Sequence, residues 1–298
     1  MYALYPIYAI IIDMNNISFF KNLNIDNSWK DFIYKESNIL ELQKIEKTIG
    51  QNYYPSTDNV FRFLENDLLS SKYIILGMDP YPSHFIENGK IMPIATGRSF
   101  EVQNIRSWKE KYKQKSLAMI IKTLYYDKYN IEPSMELLRN NIIEIDYTTA
   151  NKIINNSKNI VDKNSLKEII VDTLDLTTKK LKQIYDNKKI ILFNPTSFYD
   201  ITELQGILWL NSTLTVKPDA SGSHINIWND YMDELFRYIL SKNNIIKYLV
   251  FGEKAKNRIK DIIKENNMIV TCHPATRVNN NFVKKNCFGK LNDILLYI

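Results

Sequence analysis

The sequence predicts an α/β fold, with a central, mainly parallel four-stranded sheet, helices on both faces and a helical insertion. Four short apolar runs, each bounded by turn residues, are typical of buried strands. Stretches with helical spacing lie between them, and strands that alternate with helices form parallel sheets. The four runs are residues 74–77, 207–210, 248–251 and 268–271.

Length and composition indicate a folded globular protein. The chain has 298 residues, of which 45% are hydrophobic and 24% are charged, enough for a sizeable core. Its net charge of +6 suits a polyanionic partner, although many proteins without such a partner share a mild basic excess. We expect a single domain over residues 14–298. Residues 125–187 carry apolar side chains at helical spacing, and we expect them to be a helical insertion within it.

Cysteine and histidine content excludes two kinds of site. Cys272 and Cys287 are too few for a disulfide framework, and three histidines cannot complete a Cys/His zinc cluster. We therefore expect a cytoplasmic protein without a metal or an organic cofactor. The apolar residues 1–13 lack a basic leader and are too short to span a bilayer, so we expect no signal peptide and no membrane association. The sequence leaves open whether Met1 or Met14 is the start.

Polar residues follow three of the four predicted strands. Asp79 follows the first strand, Asn211 the second and His273 the fourth. The carboxyl ends of parallel strands share one edge of a sheet, so we expect these three side chains to converge. Each residue alone could be an ordinary turn or strand-exit residue, but the three together favour a catalytic site.

Several motifs then occur in an order that identifies a family. Residues 77–82 read Gly-Met-Asp-Pro-Tyr-Pro, residues 97–102 read Gly-Arg-Ser-Phe-Glu-Val, and residues 209–216 read Trp-Leu-Asn-Ser-Thr-Leu-Thr-Val. A Ser-His pair and a Trp follow within residues 223–228, and residues 273–276 read His-Pro-Ala-Thr. In this order the motifs resemble those of the uracil-DNA glycosylase superfamily. The resemblance covers nearly the whole chain except the insertion, and it implies the fold of that family and DNA as the partner.

The resemblance implies a role for each matched residue. An ionised Asp79 would stabilise the cationic sugar and hold the attacking water, and His273 would donate a hydrogen bond to the base carbonyl oxygen as it becomes anionic. Phe100 would stack on the flipped base, unless it is simply a core residue. The Asn211 amide, with a donor and an acceptor, would read the Watson–Crick edge, and Tyr81 would line the pocket near C5 of the pyrimidine.

The resemblance also implies contacts with DNA from Ser116, Ser223 and His224. Each has a structural alternative, because Ser116 could cap a helix and the Ser223–His224 pair could brace a loop. Arg277 stands where the family carries an intercalating leucine. Its guanidinium could fill the vacated stack or bind phosphate, but it is not an apolar wedge. We expect single- or double-stranded DNA as the partner and a monomeric protein.

Departures from the family pattern bear on the substrate. Met78 replaces a glutamine and Pro82 replaces a histidine, so two polar groups beside the base are missing. Met78 is still expected to line the base pocket. The connection from Tyr81 to Phe100 is longer than in the family, and we expect Pro82 and His84 on it to help select the substrate.

The sequence therefore predicts a monofunctional DNA glycosylase that flips out a pyrimidine nucleotide, hydrolyses its N-glycosidic bond and leaves an abasic site. Because of the longer connection, we expect the substrate to be a bulky modified cytosine, such as glucosylated hydroxymethylcytosine in phage DNA, and the role to be anti-phage defence. The alternative is uracil in base excision repair, which is supported by Tyr81, the residue that excludes C5 substituents in the uracil enzymes. A third alternative is a DNA-binding or processivity component without catalysis. The intact Asp79 and His273 argue against it.

Overall fold

The structure, a computed structural model, describes residues 17–111, 113–157, 163–276 and 281–298, with only the backbone of residues 163 and 164. Within these ranges no helix is both long and apolar enough to cross a membrane. The helices and strands are, in chain order, α1 (Lys30–Ile33), α2 (Glu36–Ile49), β1 (Tyr73–Gly77), β2 (His84–Glu87), β3 (Lys90–Pro93), α3 (Lys115–Tyr129), α4 (Met135–Asn141), β4 (Ile142–Ile145), α5 (Tyr147–Ser157), α6 (Lys163–Thr173), α7 (Thr178–Asp186), β5 (Ile190–Phe193), α8 (Pro195–Glu203), β6 (Ile207–Asn211), α9 (Ile225–Lys242), β7 (Lys247–Phe251), α10 (Glu253–Ile259) and β8 (Met268–Thr271).

A four-stranded parallel sheet confirms the predicted fold class. Its strand order is β6-β1-β7-β8, and helices flank it. All four strands fall on the four predicted apolar runs. Every residue of β1 and β6 is buried, which is why these strands are continuously apolar rather than alternating. The register places Gly77, the last residue of β1, opposite Asn211, the last residue of β6.

One hydrophobic core covers one face of this sheet. Alternate strand residues such as Ile74 and Leu76 enter it, as the two-residue period of a strand requires. Helices α1, α2, α9 and α10 supply many of the other side chains, and segments outside the helices, such as residues 60–68, supply the rest. Removing a single large side chain of this kind from water contributes about 1.5–3 kcal/mol. The core therefore holds the sheet rigid, and the sheet in turn fixes the positions of its strand ends. It belongs to a compact unit of residues up to 104 and 206–271.

A second compact unit contains residues 105–205 and 272–298. It holds helices α3 to α8 and a two-stranded parallel sheet in which β4 pairs with β5. The segment 125–187, predicted to be helical, contains helices but also β4. Four residues are too short a run for periodicity to separate a buried strand from a helix. Strand β5 pairs with β4 rather than with the central sheet, and the Trp108 indole N–H donates to the Phe193 carbonyl oxygen at 2.7 Å.

A buried hydrogen-bond network joins the segment after β6 to the start of α9. The indole N–H of Trp228 donates to Thr215 Oγ1 at 2.7 Å, and Thr215 Oγ1 lies 2.9 Å from His224 Nδ1. Either Thr215 Oγ1 or His224 Nδ1 can be the donor of this contact, and His224 Nε2 is buried without a partner among the described residues. His224 is completely buried. Burial, and secondarily the charge of Lys217, lower the pKa of His224, so we infer a neutral imidazole in the folded protein.

This network predicts a pH dependence of stability. The pKa of His224 is depressed in the folded state, so its contribution is complete above the unfolded histidine pKa of about 6.5. The contribution is lost as the pH falls from there through the lower folded pKa, because the unfolded chain takes up a proton that the folded chain resists. Urea denaturation between about pH 8 and pH 5 measures this loss.

Variants at two histidines isolate the effect. The variant His224→Asn places an amide oxygen near the former position of Nδ1, and its side chain does not titrate. Its free energy of unfolding should therefore change less with pH in this range than that of the wild type. The variant His84→Asn is the control, because His84 is exposed, and it should keep the wild-type slope. An equal dependence of the free energy of unfolding on pH in the wild type and His224→Asn would contradict the inference that His224 is neutral in the folded protein.

Candidate active site

A carboxylate lies just beyond β1 and is held in a fixed orientation. Pro80 has no N–H, so the strand ladder cannot continue past Asp79. Asp79 Oδ2 accepts hydrogen bonds from the Gly222 amide at 2.6 Å and the Ser221 hydroxyl at 2.9 Å. Two donors on one oxygen suit an ionised carboxylate, which only accepts. Sequence analysis missed both donors, and their one signal was the run of small residues 220–223 before α9.

The side chain of Asn211 lies against the bare backbone of Gly77. A Cβ built on Gly77 would lie 2.1 Å from Asn211 Oδ1, so only glycine leaves room for the amide. Asn211 is 2% exposed, and its side chain makes no hydrogen bond among the residues that the structure describes. The amide carries a donor and an acceptor that a ligand with a matching acceptor and donor could pair.

Phe100 is held at the same edge of the sheet in a strained conformation. Its φ is 62°, in the left-handed region that bulky residues rarely adopt. The preceding Ser99 fixes the backbone, with its amide donating to the Trp209 carbonyl at 3.2 Å and its hydroxyl to the Ile75 carbonyl at 2.7 Å. The Phe100 ring lies 5.3 Å from the ring of Phe251, the last residue of β7. Strain of about 1–3 kcal/mol at one residue is typical of functional sites.

An ion cluster that sequence analysis also missed brackets Phe100. The Arg98 guanidinium donates to Glu101 Oε1 at 3.2 Å, and the Arg62 guanidinium lies 3.6 Å from Glu101 Oε2. Arg98 is buried, and Arg62 also donates to the Thr96 carbonyl oxygen at 3.2 Å. Because these contacts tie the residues on both sides of Phe100 to the fold, they hold its backbone in place.

Backbone hydrogen bonds hold the residues on both sides of Asp79, from Met78 to Pro82. The Met78 carbonyl oxygen accepts from the Ser212 hydroxyl at 2.9 Å, and the Pro82 carbonyl oxygen accepts from the Asp219 amide at 2.9 Å. Tyr81 has a buried hydroxyl with no partner among the described residues. Burial raises the pKa of Tyr81, so it remains a neutral phenol at physiological pH.

The long connection between Tyr81 and Phe100 is a β-hairpin rather than an irregular loop. Strands β2 and β3 pair antiparallel across a turn at Asn88 and Gly89, which have φ values of 51° and 75°. Positive φ at both central residues is typical of a tight two-residue hairpin turn. His84 begins the hairpin, and its Nδ1 lies 4.0 Å from Asp219 Oδ1.

His273 lies two residues beyond β8, in the second compact unit. Its Nδ1 accepts a hydrogen bond from the Ala275 amide at 3.1 Å, which places the proton of a neutral imidazole on Nε2. His273 is exposed, and the predicted role requires a proton on Nε2. The convergence of His273 with Asp79 and Asn211 stays a prediction.

The predicted DNA-contact residues have different surroundings. Ser116 is the second residue of α3 and Gln114 is its N-cap, so the capping alternative for Ser116 is wrong. Ser223 is exposed, and its hydroxyl oxygen accepts from the Lys217 amide at 2.8 Å. His224 is completely buried, which supports the bracing role over a side-chain contact with DNA. Arg277 lies outside the described residues.

Comparison with known proteins finds sequence relatives among the uracil-DNA glycosylases. No protein-family model matches the chain. The uracil-DNA glycosylase of Mycoplasmopsis pulmonis is 29% identical over 197 residues, which are 62% of this chain and 87% of the relative. The match to the uracil-DNA glycosylase of Mesomycoplasma hyopneumoniae is 34% identical over 98 residues, 30% of this chain and 43% of the relative.

Solved structures share the fold. The uracil-DNA glycosylase of Nitratifractor salsuginis aligns over 99% of both chains with a TM-score of 0.58 and 15% identity. The Y322L variant of the mimivirus enzyme, in complex with UGI, covers 84% of this chain and 70% of its own, with a TM-score of 0.51 and 19% identity. The chain is thus similar in sequence to uracil-DNA glycosylases and shares the fold of their solved structures.

Proposed function

We propose that the protein is a DNA glycosylase that hydrolyses the N-glycosidic bond of a flipped-out pyrimidine nucleotide. One observation carries the proposal: the amide of the buried Asn211 and an anchored carboxylate lie at the carboxyl ends of two paired strands. The amide can recognise a planar base and the carboxylate can stabilise a cation. The curated relatives, which are named uracil-DNA glycosylases, support the same chemistry.

Asp79 would act on the sugar. As the bond between C1′ and the base nitrogen breaks, its electron pair leaves with the base and positive charge develops on the sugar. A carboxylate held by two protein donors stabilises that charge without first having to reorient. Asp79 Oδ1 accepts no hydrogen bond from the described residues, so it is available to orient the water that attacks C1′. A proton released by that water passes to solvent.

Asn211 and His273 would act on the base. The amide of Asn211 offers one donor and one acceptor, which match the edge of uracil, and Phe100 would stack on its face. His273 Nε2–H would donate to the carbonyl oxygen that becomes anionic. This donor binds more strongly as charge develops, so it would raise the rate of bond cleavage and not only the affinity.

Uracil in base excision repair is the substrate that we favour. Tyr81 is retained, and its ring would stand beside C5 of the pyrimidine, where it would exclude C5 substituents. The relatives' names are consistent with this choice. We further propose that the protein acts as a cytoplasmic monomer on single- or double-stranded DNA. No lysine occupies a position of the family motifs where a Schiff base would form, so we propose no lyase step.

A bulky modified cytosine is the second candidate, and a specific observation favours it. The hairpin β2–β3 replaces a shorter connection directly after Tyr81, so the C5 side of the site differs in architecture from the family pattern. A flipped Asn211 amide would present its donor and acceptor in the order that cytosine needs. In that case the protein would remove bases such as glucosylated hydroxymethylcytosine from phage DNA as a defence.

The third candidate, a DNA-binding or processivity component without catalysis, is disfavoured by the geometry of Asp79. A carboxylate that is anchored by both a backbone amide and a hydroxyl is preorganised for catalysis. Binding of DNA alone would not distinguish this candidate from an enzyme, because phosphate contacts contribute to both.

Replacing the Asp79 carboxylate tests the chemistry. We expect Asp79→Asn to lower the single-turnover rate of base excision at least about 100-fold, the loss typical of a single electrostatic contact to the transition state. Its affinity for DNA should stay within about twofold, because the carboxylate makes no favourable contact with phosphate. Ser221→Ala removes one of the two anchors and should give an intermediate loss.

The exposed Asp261 provides a matched control, and Asp261→Asn should keep the wild-type rate. Wild-type excision by Asp79→Asn would remove this residue from the mechanism.

A two-substrate assay identifies the base. Purified protein is incubated with uracil-containing DNA and with DNA that carries glucosylated hydroxymethylcytosine, and abasic sites are measured in both. We expect abasic sites in the uracil DNA alone, because Tyr81 stands beside C5. Excision from the modified DNA alone would favour the second candidate. No excision from either DNA, with DNA binding retained, would favour the third.

A further inference from the structure

An apolar pair stands exposed on the hairpin beside the site. Ile86 of β2 and Ile91 of β3 are directly opposite each other in the antiparallel ladder, so their side chains share one face. They are 73% and 65% exposed. The other face carries Phe85 and Met92, which are partly buried. The alternation therefore turns two large aliphatic side chains towards solvent as one contiguous patch.

The hairpin is tied to the groups that hold the catalytic carboxylate. At its base the Ile94 amide donates to the Ser83 carbonyl at 3.0 Å. The Pro82 carbonyl accepts from Asp219, which lies in the same turn as the two donors to Asp79. From this base the strands extend about 14 Å, at about 3.4 Å a residue. The hairpin therefore begins at the same turn that supports Asp79.

We propose that Ile86 and Ile91 form a wedge that enters the base stack of duplex DNA where the target nucleotide has been extruded. The inference rests on the proposed function, because flipping a nucleotide leaves a vacancy and costs a few kcal/mol of stacking. Apolar side chains inserted between base steps offset this cost. The net charge of +6 suits a polyanionic partner such as DNA.

The sequence at the family's wedge position is consistent with a relocated wedge. Position 277 is an arginine, and a guanidinium is hydrated and cationic rather than apolar. The chain thus carries its exposed aliphatic pair at a different place, on an element that follows the first motif directly. Two β-branched side chains on a paired ladder are also stiff, so little conformational entropy is lost on insertion.

A binding assay tests the wedge without requiring catalysis. The dissociation constant is measured for three DNAs of one sequence: a duplex with a tetrahydrofuran abasic analogue, the intact duplex, and the single strand with the analogue. The wild type should bind the abasic duplex more tightly than the intact one. The variant Ile86→Ser/Ile91→Ser should weaken binding of the abasic duplex about tenfold and change the other two by less than about twofold. The variant Ile245→Ser, at a site that is 78% exposed, is the control and should change none.

Three results would overturn the proposal. These are an unchanged affinity of the double variant for the abasic duplex, an equal loss on all three DNAs, and a wild type without preference for the abasic duplex. A shift of the double variant from dimer to monomer in sedimentation would instead assign the patch to self-association. A protein that prefers the abasic duplex but excises no base would keep the wedge and refute the glycosylase.

Discussion

Gly77 has no side chain, and the site is built in the space that this leaves. The parallel register of β1 and β6 places Asn211 opposite Gly77, where its amide packs against bare backbone. Asp79 follows two residues later, so the same strand end positions both the amide and the carboxylate. The register itself is fixed by the buried runs on both strands, because a slip of one residue would turn every apolar side chain to the opposite face.

Near Gly77 and Asn211 the structure contains polar and strained groups that do not stabilise the fold. Asn211 is buried against Gly77, the Tyr81 hydroxyl is buried without a partner among the described residues, and Phe100 has a left-handed backbone. The last two are each unfavourable by about 1 kcal/mol or more. The aromatic and aliphatic core on one face of the sheet, together with the Arg98–Glu101 pair, offsets these terms. Such concentration of unfavourable groups at one sheet edge is what a preorganised binding site requires.

The parts of this arrangement that depend on local pattern could be predicted from the sequence. Apolar runs predict the buried strands, and Asp79 and Asn211 lie at the ends of two of these runs. The anchors of Asp79 could not be predicted, because Ser221 and Gly222 lie more than a hundred residues away and carry no distinctive chemistry. Strand β4 could not be predicted because it has only four residues. The hairpin β2–β3 could not be predicted as strands because its exposed face carries apolar residues where an exposed strand face is usually polar.

The central claim is that the Gly77–Asn211 contact creates the base site. The single-turnover rate of base excision tests this claim most directly. The variant Gly77→Ala adds a single methyl group where Asn211 Oδ1 now lies. The account predicts that the single-turnover rate of base excision by the folded variant falls at least about 100-fold, because a misplacement of about 1 Å at a recognition group is enough for such a loss. A rate within about twofold of the wild type would contradict the account.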